Sequence, residues 1–144
     1  MMMSSRSGKE IEDNNMIIHF HAIGHVENEF NTPARPEQIR MGESRIVLNP
    51  SLQMGLNGLK VGDQIMVIFY FHLSKGFDLL QHPHGDQSQP KRGVFALHTP
   101  FRPNPIGVTT VDLLSIEKNI LIVKGLDAIN GSPILDLKSV HKKE

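Results

Sequence analysis

The residues best placed to do chemistry lie in Arg102-Pro103-Asn104-Pro105-Ile106-Gly107. Two prolines flanking an asparagine fix two backbone φ angles and disfavour helix at Phe101, Arg102 and Asn104. The loop is therefore stiff and holds a guanidinium fork and an amide in a nearly preset geometry. A stiff polar loop ahead of a strand can position binding groups, or it can simply connect strands with a solvated arginine. From Gln87 to Val111 there is no acidic residue, whereas Lys91, Arg92 and Arg102 are basic and His98 can become so. Such a window suits a phosphate or carboxylate partner, although a solvated basic face gives the same pattern.

A second polar group follows in Gly125-Leu126-Asp127-Ala128-Ile129-Asn130-Gly131-Ser132-Pro133 and Ile134-Leu135-Asp136-Leu137-Lys138. Asn-Gly between two apolar runs predicts a β-hairpin. Asp127 ends one run, and Asp136 and Lys138 share a face of the next. They can hold a ligand or pair with each other. His82-Pro83-His84-Gly85-Asp86 crowds two imidazoles and a carboxylate. Histidines around a proline in a polar loop read as solvent-facing groups, so no metal is expected. His72 closes the most apolar strand and belongs either to a structural hydrogen bond or to a pocket wall. No Ser-His-Asp spacing, nucleophile elbow or carboxylate pair stands out.

These groups need a scaffold, and the apolar pattern supplies one. Segments 16–23, 45–48, 65–71, 93–97, 108–114, 120–123 and 134–137 read as short strands, with Gly24 closing the first and the run 65–71 buried on both faces. Residues 27–45 read as a surface loop. Asn49-Pro50 with Leu52, Leu56 and Leu59 suits one short helix. About six or seven strands with a single helix predict a mainly β protein, a small antiparallel barrel. No Gly-x-Gly-x-x-Gly turn supports a dinucleotide fold. Residues 1–15 are polar and read as a loose tail, leaving 16–144 as one domain.

At 144 residues the chain can bury a useful core. Fifteen basic side chains balance fifteen acidic ones, so net charge gives no general drive toward nucleic acid or an anionic membrane. The absence of cysteine excludes a disulfide framework and a thiolate metal site. No apolar run approaches the roughly 18–20 residues that span a bilayer, and a soluble cytoplasmic protein is expected.

Gly93-Val94-Phe95-Ala96, then Arg102 to Gly107, then Asp127-x-x-Asn130-Gly131-Ser132-Pro133 and Ile134 to Lys138, resemble the TsaA-like family. Ile23-Gly24, Pro33-Ala34-Arg35-Pro36 and Phe71-His72 extend the likeness over roughly residues 17–140. The resemblance implies a β-barrel binding S-adenosyl-L-methionine at a homodimer interface. It implies methyl transfer to the exocyclic nitrogen of threonylcarbamoyladenosine beside the tRNA anticodon. It places cofactor contacts at Ala34, Arg35, Pro36, His72, Leu73, His98, Val108, Leu126, Asp127, Ala128 and Ile129. Arg102, Pro103, Asn104, Pro105, Asp136 and Lys138 are implied to shape the site or position substrate, with no general base named. The chain departs from the family at His98, usually arginine, at Asn130 and Ser132, usually Asp and Thr, and at Ser139-Val140, usually Pro-Tyr. Those departures keep two alternatives open: a same-fold methyltransferase for another small or nucleotide substrate, and a non-enzymatic cofactor-binding module.

Overall fold

A computed structural model describes residues 16–32 and 36–140. The stretch 1–15, expected to be a tail, lies outside the described residues, as do Ala34 and Arg35. The elements in chain order are β1 (Gly24–Glu27), α1 (Pro36–Met41), β2 (Glu43–Leu48), a 3-10 helix (Pro50–Leu56) and β3 (Gln64–Tyr70). Then come β4 (Leu80–Gln81), β5 (Arg92–Gly93), β6 (Ile106–Glu117), β7 (Ile120–Lys124) and β8 (Pro133–Ser139), with short 3-10 turns at Pro83–Gly85 and Val94–Ala96. The chain divides into two compact units, one of residues 20–70 and 107–144, the other of 1–19 and 71–106.

The first unit carries the barrel, closed in the order β1-β2-β7-β6-β3-β8, so the mainly β expectation is met. Alternation explains why: Ile65, Val67 and Phe69 of β3 are at most 1% exposed, while Met66 and Ile68 between them are half-buried. Leu121 and Val123 of β7 and Val111 and Leu113 of β6 repeat the pattern and meet in the same core. The run expected to be buried on both faces is thus buried on one, as an antiparallel strand allows. A bulge between Leu113 and Ser115 lets the long β6 bend around the barrel.

Several sequence expectations are corrected. Residues 16–23 form no strand; β1 begins at Gly24, the residue expected to end one. The reason is steric, because β1 lies so close to β2 that a Cβ at position 24 would overlap the Val47 carbonyl oxygen and sit 2.9 Å from Leu48 Cα. The 27–45 loop contains α1, whose single buried residue is Ile39. The helix after Asn49 is 3-10, and Asn49 makes no side-chain cap. The strand expected at 93–97 shrinks to Arg92–Gly93 before a 3-10 turn. Finally, Asn130-Gly131 does not close a hairpin. β7 pairs with β2 and β6, β8 pairs with β1 and β3, and segment 125–132 crosses between non-neighbouring strands. The turn itself is present, with Gly131 at φ 85°, but a turn does not choose the strands it joins.

In the second unit, β4 and β5 make a two-stranded ladder, Leu80 opposite Gly93 and Gln81 opposite Arg92. Phe77 and Val94 are buried there.

Candidate functional site

Segment 125–132 carries the candidate residues of the barrel unit. It leaves β7 at Gly125, whose φ of 101° favours glycine. Leu126 and Ala128 then turn inward, 0% and 2% exposed, which sends Asp127 and Ile129 to the other side. Asp127 is held from two directions. Arg40 Nη2 of α1 donates to its Oδ2 at 2.8 Å, and the Thr109 hydroxyl of β6 donates to its Oδ1. The Asp127 side chain is 19% exposed and that of Arg40 54%, so one carboxylate face is covered and the cation remains wet.

The loop backbone is fixed by Asn28, just beyond β1. Its Nδ2 donates to Ser44 Oγ at 3.0 Å and to the Ala128 carbonyl at 2.9 Å, and its Oδ1 accepts from Phe30 N at 3.0 Å. Asn130 returns the arrangement, its Oδ1 accepting from Asn28 N and its own N–H donating to Phe30 O. Ser132, 2% exposed, donates its hydroxyl to Ile129 O at 2.7 Å. A part-buried polar set tied down from several sides is a rigid mount. Sequence reasoning named Asp127 and missed Asn28, Arg40, Ser44 and Thr109. No short motif links residues 16 to 102 positions apart in sequence; an amide directly after a strand was the one available signal.

Of the other barrel-unit candidates, Val108 is 51% exposed on β6, and Pro36 is exposed at the start of α1, one turn before Arg40. Asp136 and Lys138 pair with each other at 3.0 Å on β8, one of the two readings their spacing allowed. Strand directions put them away from Asp127: β8 runs from Pro133, near the mounted loop, toward Ser139, opposite the start of β3.

In the second unit, segment 97–101 is held through its carbonyl groups. Arg102 Nη1 donates to Leu97 O at 2.8 Å and Thr99 O at 3.2 Å, Ser74 Oγ to Pro100 O at 2.7 Å, and Gln81 Nε2 to Phe101 O. The Arg102 guanidinium therefore shapes its own loop. Pro105 is buried and its carbonyl accepts from Phe71 N, while Asn104 is exposed and its carbonyl accepts from Ile106 N. Pro103 is half-buried. Leu73 and His98 are exposed; His72 is half-buried, with Nδ1 fully buried and without a hydrogen-bond partner among the described residues. A buried ring nitrogen with no protein partner is the kind of group a ligand completes.

The loop at His82 to Asp86 is a self-contained turn. His82 Nδ1 meets Gln89 O at 2.8 Å, and His84 adopts φ 52°. Hydrogen bonds from the Ser88 hydroxyl, and then from its N–H, hold the Asp86 carboxyl below its ordinary pKa, with His82 adding a smaller effect. Among the described residues no group of three His, Cys, Asp or Glu is placed to hold a metal.

The family described as the tRNA-methyltransferase O N-terminal domain matches residues 21–143, which span both units. The chain belongs to this family. A probable S-adenosyl-L-methionine-binding protein of Methanocaldococcus jannaschii is 40% identical over 111 residues, covering 73% of this chain and 88% of that protein. Another from Methanothermobacter thermautotrophicus is 37% identical over 130 residues, covering 88% and 93%. The crystal structure of TrmO from Pseudomonas aeruginosa superposes with a TM-score of 0.70 at 26% identity, covering 89% of this chain. The chain spans 58% of that protein's length. The methyltransferase-type barrel of the TrmO family is thus the scaffold on which Asp127 is mounted. No described helix is long and apolar enough to cross a membrane.

Proposed function

We propose that this protein binds S-adenosyl-L-methionine and transfers its methyl group to the exocyclic nitrogen of threonylcarbamoyladenosine next to a tRNA anticodon. Support for the cofactor comes first from the mount of Asp127, a carboxylate positioned before any ligand arrives. The residues fit the group. A carboxylate accepts from the hydroxyl and ammonium donors that this cofactor carries, and Leu126 and Ala128 keep its support dry. His72 Nδ1 adds a buried polar atom able to pair with a ligand. Pro36, Leu73, His98, Val108 and Ile129, with Ala34 and Arg35 outside the described residues, complete the contacts that the family resemblance implies. His98 stands where the family usually has arginine.

When bound, the cofactor supplies an electrophilic methyl group on a sulfonium. The protein's own task is then to orient an acceptor nitrogen and exclude water. Arg40 and Thr109 serve this by fixing the Asp127 carboxylate. Arg102 serves it by holding segment 97–101. RNA as substrate is supported by the exposed Lys91 and Arg92 in the acid-free stretch, together with Phe95 and Phe101 at 78% and 50% exposure. Exposed aromatic rings and cations within one acid-free stretch suit stacked bases and phosphates. The reaction belongs where tRNA resides, in the cytoplasm, and a homodimer is the expected assembly.

Calorimetry of the full chain with S-adenosyl-L-methionine tests the cofactor. Binding is expected, and Asp127→Asn should weaken it by about ten-fold or more, the cost of one charge-assisted hydrogen bond. Absence of heat with the unaltered chain would refute the assignment. Mass spectrometry of nucleosides from modified tRNA, incubated with protein and cofactor, tests the acceptor. A second reading, the same chemistry on another small or nucleotide substrate, is favoured by Ser139-Val140 in place of Pro-Tyr. Cofactor turnover without methylated tRNA would select it, and binding without any turnover would leave a cofactor-binding module.

A further inference from the structure

The sequence holds two Asn-Gly pairs, Asn57-Gly58 and Asn130-Gly131, and the fold places each in a tight turn. The Leu59 N–H donates to Leu56 O at 3.1 Å across the first, and the Ser132 N–H to Ile129 O at 3.1 Å across the second. The two glycines sit at φ 99° and 85°, left-handed values that suit a residue without a Cβ. Asn57, at φ −58° and ψ 130°, makes the first a type II turn between the 3-10 helix Pro50–Leu56 and β3.

An Asn-Gly pair carries a latent reaction. The glycine N, once it has lost its proton to hydroxide, attacks the asparagine Cγ, since no side chain on glycine shields it. The N–Cγ bond forms, the Cγ–Nδ2 bond breaks, and Nδ2 leaves as ammonia with a proton drawn from water. Water then opens the five-membered imide at either carbonyl and leaves aspartate or isoaspartate. An amide is lost and a carboxylate gained, with no oxidant needed; the asparagine amide is among the thermally labile groups of proteins.

The two turns differ in how the reacting atoms are held. Gly131 N donates to Val26 O at 2.7 Å, Asn130 Oδ1 accepts from Asn28 N at 3.1 Å, and Asn130 Nδ2 donates to Asn31 Oδ1 at 2.9 Å. Attack at that pair requires the mounted loop to open first. Asn57 and Gly58 are exposed, and among the described residues neither the Asn57 amide nor the Gly58 N–H has a hydrogen-bond partner. A Cβ placed on Gly58 would meet nothing within 4 Å, so the ring has room to form.

We infer that Asn57-Gly58 is a site of spontaneous deamidation in the folded protein, and that Asn130-Gly131 is protected by its loop. Asn57 lines a cleft of about 640 Å³ together with Asp63, Asp136 and Lys138. Conversion brings a third carboxylate to that lining, and the balanced charge of the chain becomes negative as the protein ages. The inference is independent of the cofactor reading.

Peptide mapping by mass spectrometry tests it on the full chain, incubated at mildly alkaline pH and sampled over days, with an ion-exchange profile in parallel. Aspartate and isoaspartate should accumulate at position 57, faster as pH rises, while an acidic peak grows on the column. Position 130 should convert at least about ten-fold more slowly, as expected when three hydrogen bonds must break first. In denaturant the two positions should convert at similar rates, which assigns the difference to the fold. Asn57→Gln disfavours the five-membered ring and should remove most of the acidic peak without moving the thermal melt. An Asn57 that stays intact in the folded chain, or an Asn130 that converts as fast, would overturn the inference. So would the same gap between the two positions in denaturant, or an acidic peak undiminished in Asn57→Gln.

Discussion

Asn28→Ala should be among the most destabilising single changes outside the hydrophobic core. The substitution removes three side-chain hydrogen bonds, two donated by Nδ2 to Ser44 Oγ and Ala128 O and one accepted by Oδ1 from Phe30 N. Each is worth about 1 kcal/mol net, and each buried group left without a partner costs about 1–3 kcal/mol instead. Ser44 is 2% exposed and its hydroxyl oxygen can turn toward another donor, whereas the carbonyl of the buried Ala128 cannot move without the loop. The sum is about 2–4 kcal/mol, a large part of a total stability of about 5–15 kcal/mol. Urea unfolding should show a lower midpoint with an unchanged slope, and thermal melts a fall of about 5–15 °C. Ser44→Ala deletes one bond and should cost about 1 kcal/mol. The double variant should cost less than the two losses added, since the shared bond is counted once. A loss below about 0.5 kcal/mol for Asn28→Ala would mean that water replaces the amide, and the rigid mount of segment 125–132 would be refuted.

Three further outcomes are expected. Gly24→Ala should destabilise by at least about 2 kcal/mol, because the new methyl group overlaps the Val47 carbonyl of the adjoining strand; an unchanged melt would show that β1 can slide away. Arg102→Ala should cost about 1–2 kcal/mol through the lost bonds to Leu97 and Thr99, with a larger proportional loss of methyl transfer; activity that tracks folded fraction alone would make the loop a connector. For Asp86, the folded pKa lies below its unfolded value, so its contribution is present above the unfolded pKa and disappears as pH falls through the folded one. Ser88→Ala should raise the Asp86 pKa toward the ordinary carboxylate value in an NMR titration, and an unmoved curve would remove Ser88 as the cause.

Strand existence was legible in the sequence wherever one face alternates, as in Ile65-Val67-Phe69 and Leu121-Val123, because inward burial alone selects those residues. Pairing was not legible. The signals at Asn130-Gly131 specify a turn, and the barrel order is decided by which strand surfaces fit around a common core. Residues 16–23 mislead for a related reason: strand-like alternation with no partner strand among the described residues leaves apolar side chains exposed. α1 was hidden because six residues with one buried side chain carry no periodicity. The candidate site was half legible. Asp127 could be named through its motif, while its partners sit on β6, on α1 and just beyond β1, and only chain closure brings them together.

That dispersion links cofactor binding to the integrity of the barrel. Asp127 takes its position from Arg40 and Thr109, and its loop from Asn28 and Ser44, so the mounted carboxylate exists only when β1, β2, β6 and β7 are all in place. An unfolded chain offers no such arrangement, and a ligand that binds the folded state alone stabilises it by about 2.7 kcal/mol at a hundred-fold excess over its dissociation constant. S-adenosyl-L-methionine should therefore raise the melting temperature by several degrees. Arg40→Ala separates positioning from folding: its ion pair is half exposed and worth only about 0.2–1 kcal/mol to the unliganded protein. The unliganded melt of this variant should barely move, while the shift produced by the cofactor shrinks. A full cofactor shift in Arg40→Ala would show that Thr109 alone sets the carboxylate. Equal shifts in Arg40→Ala and Asp127→Asn, both undiminished, would place the ligand away from this loop altogether.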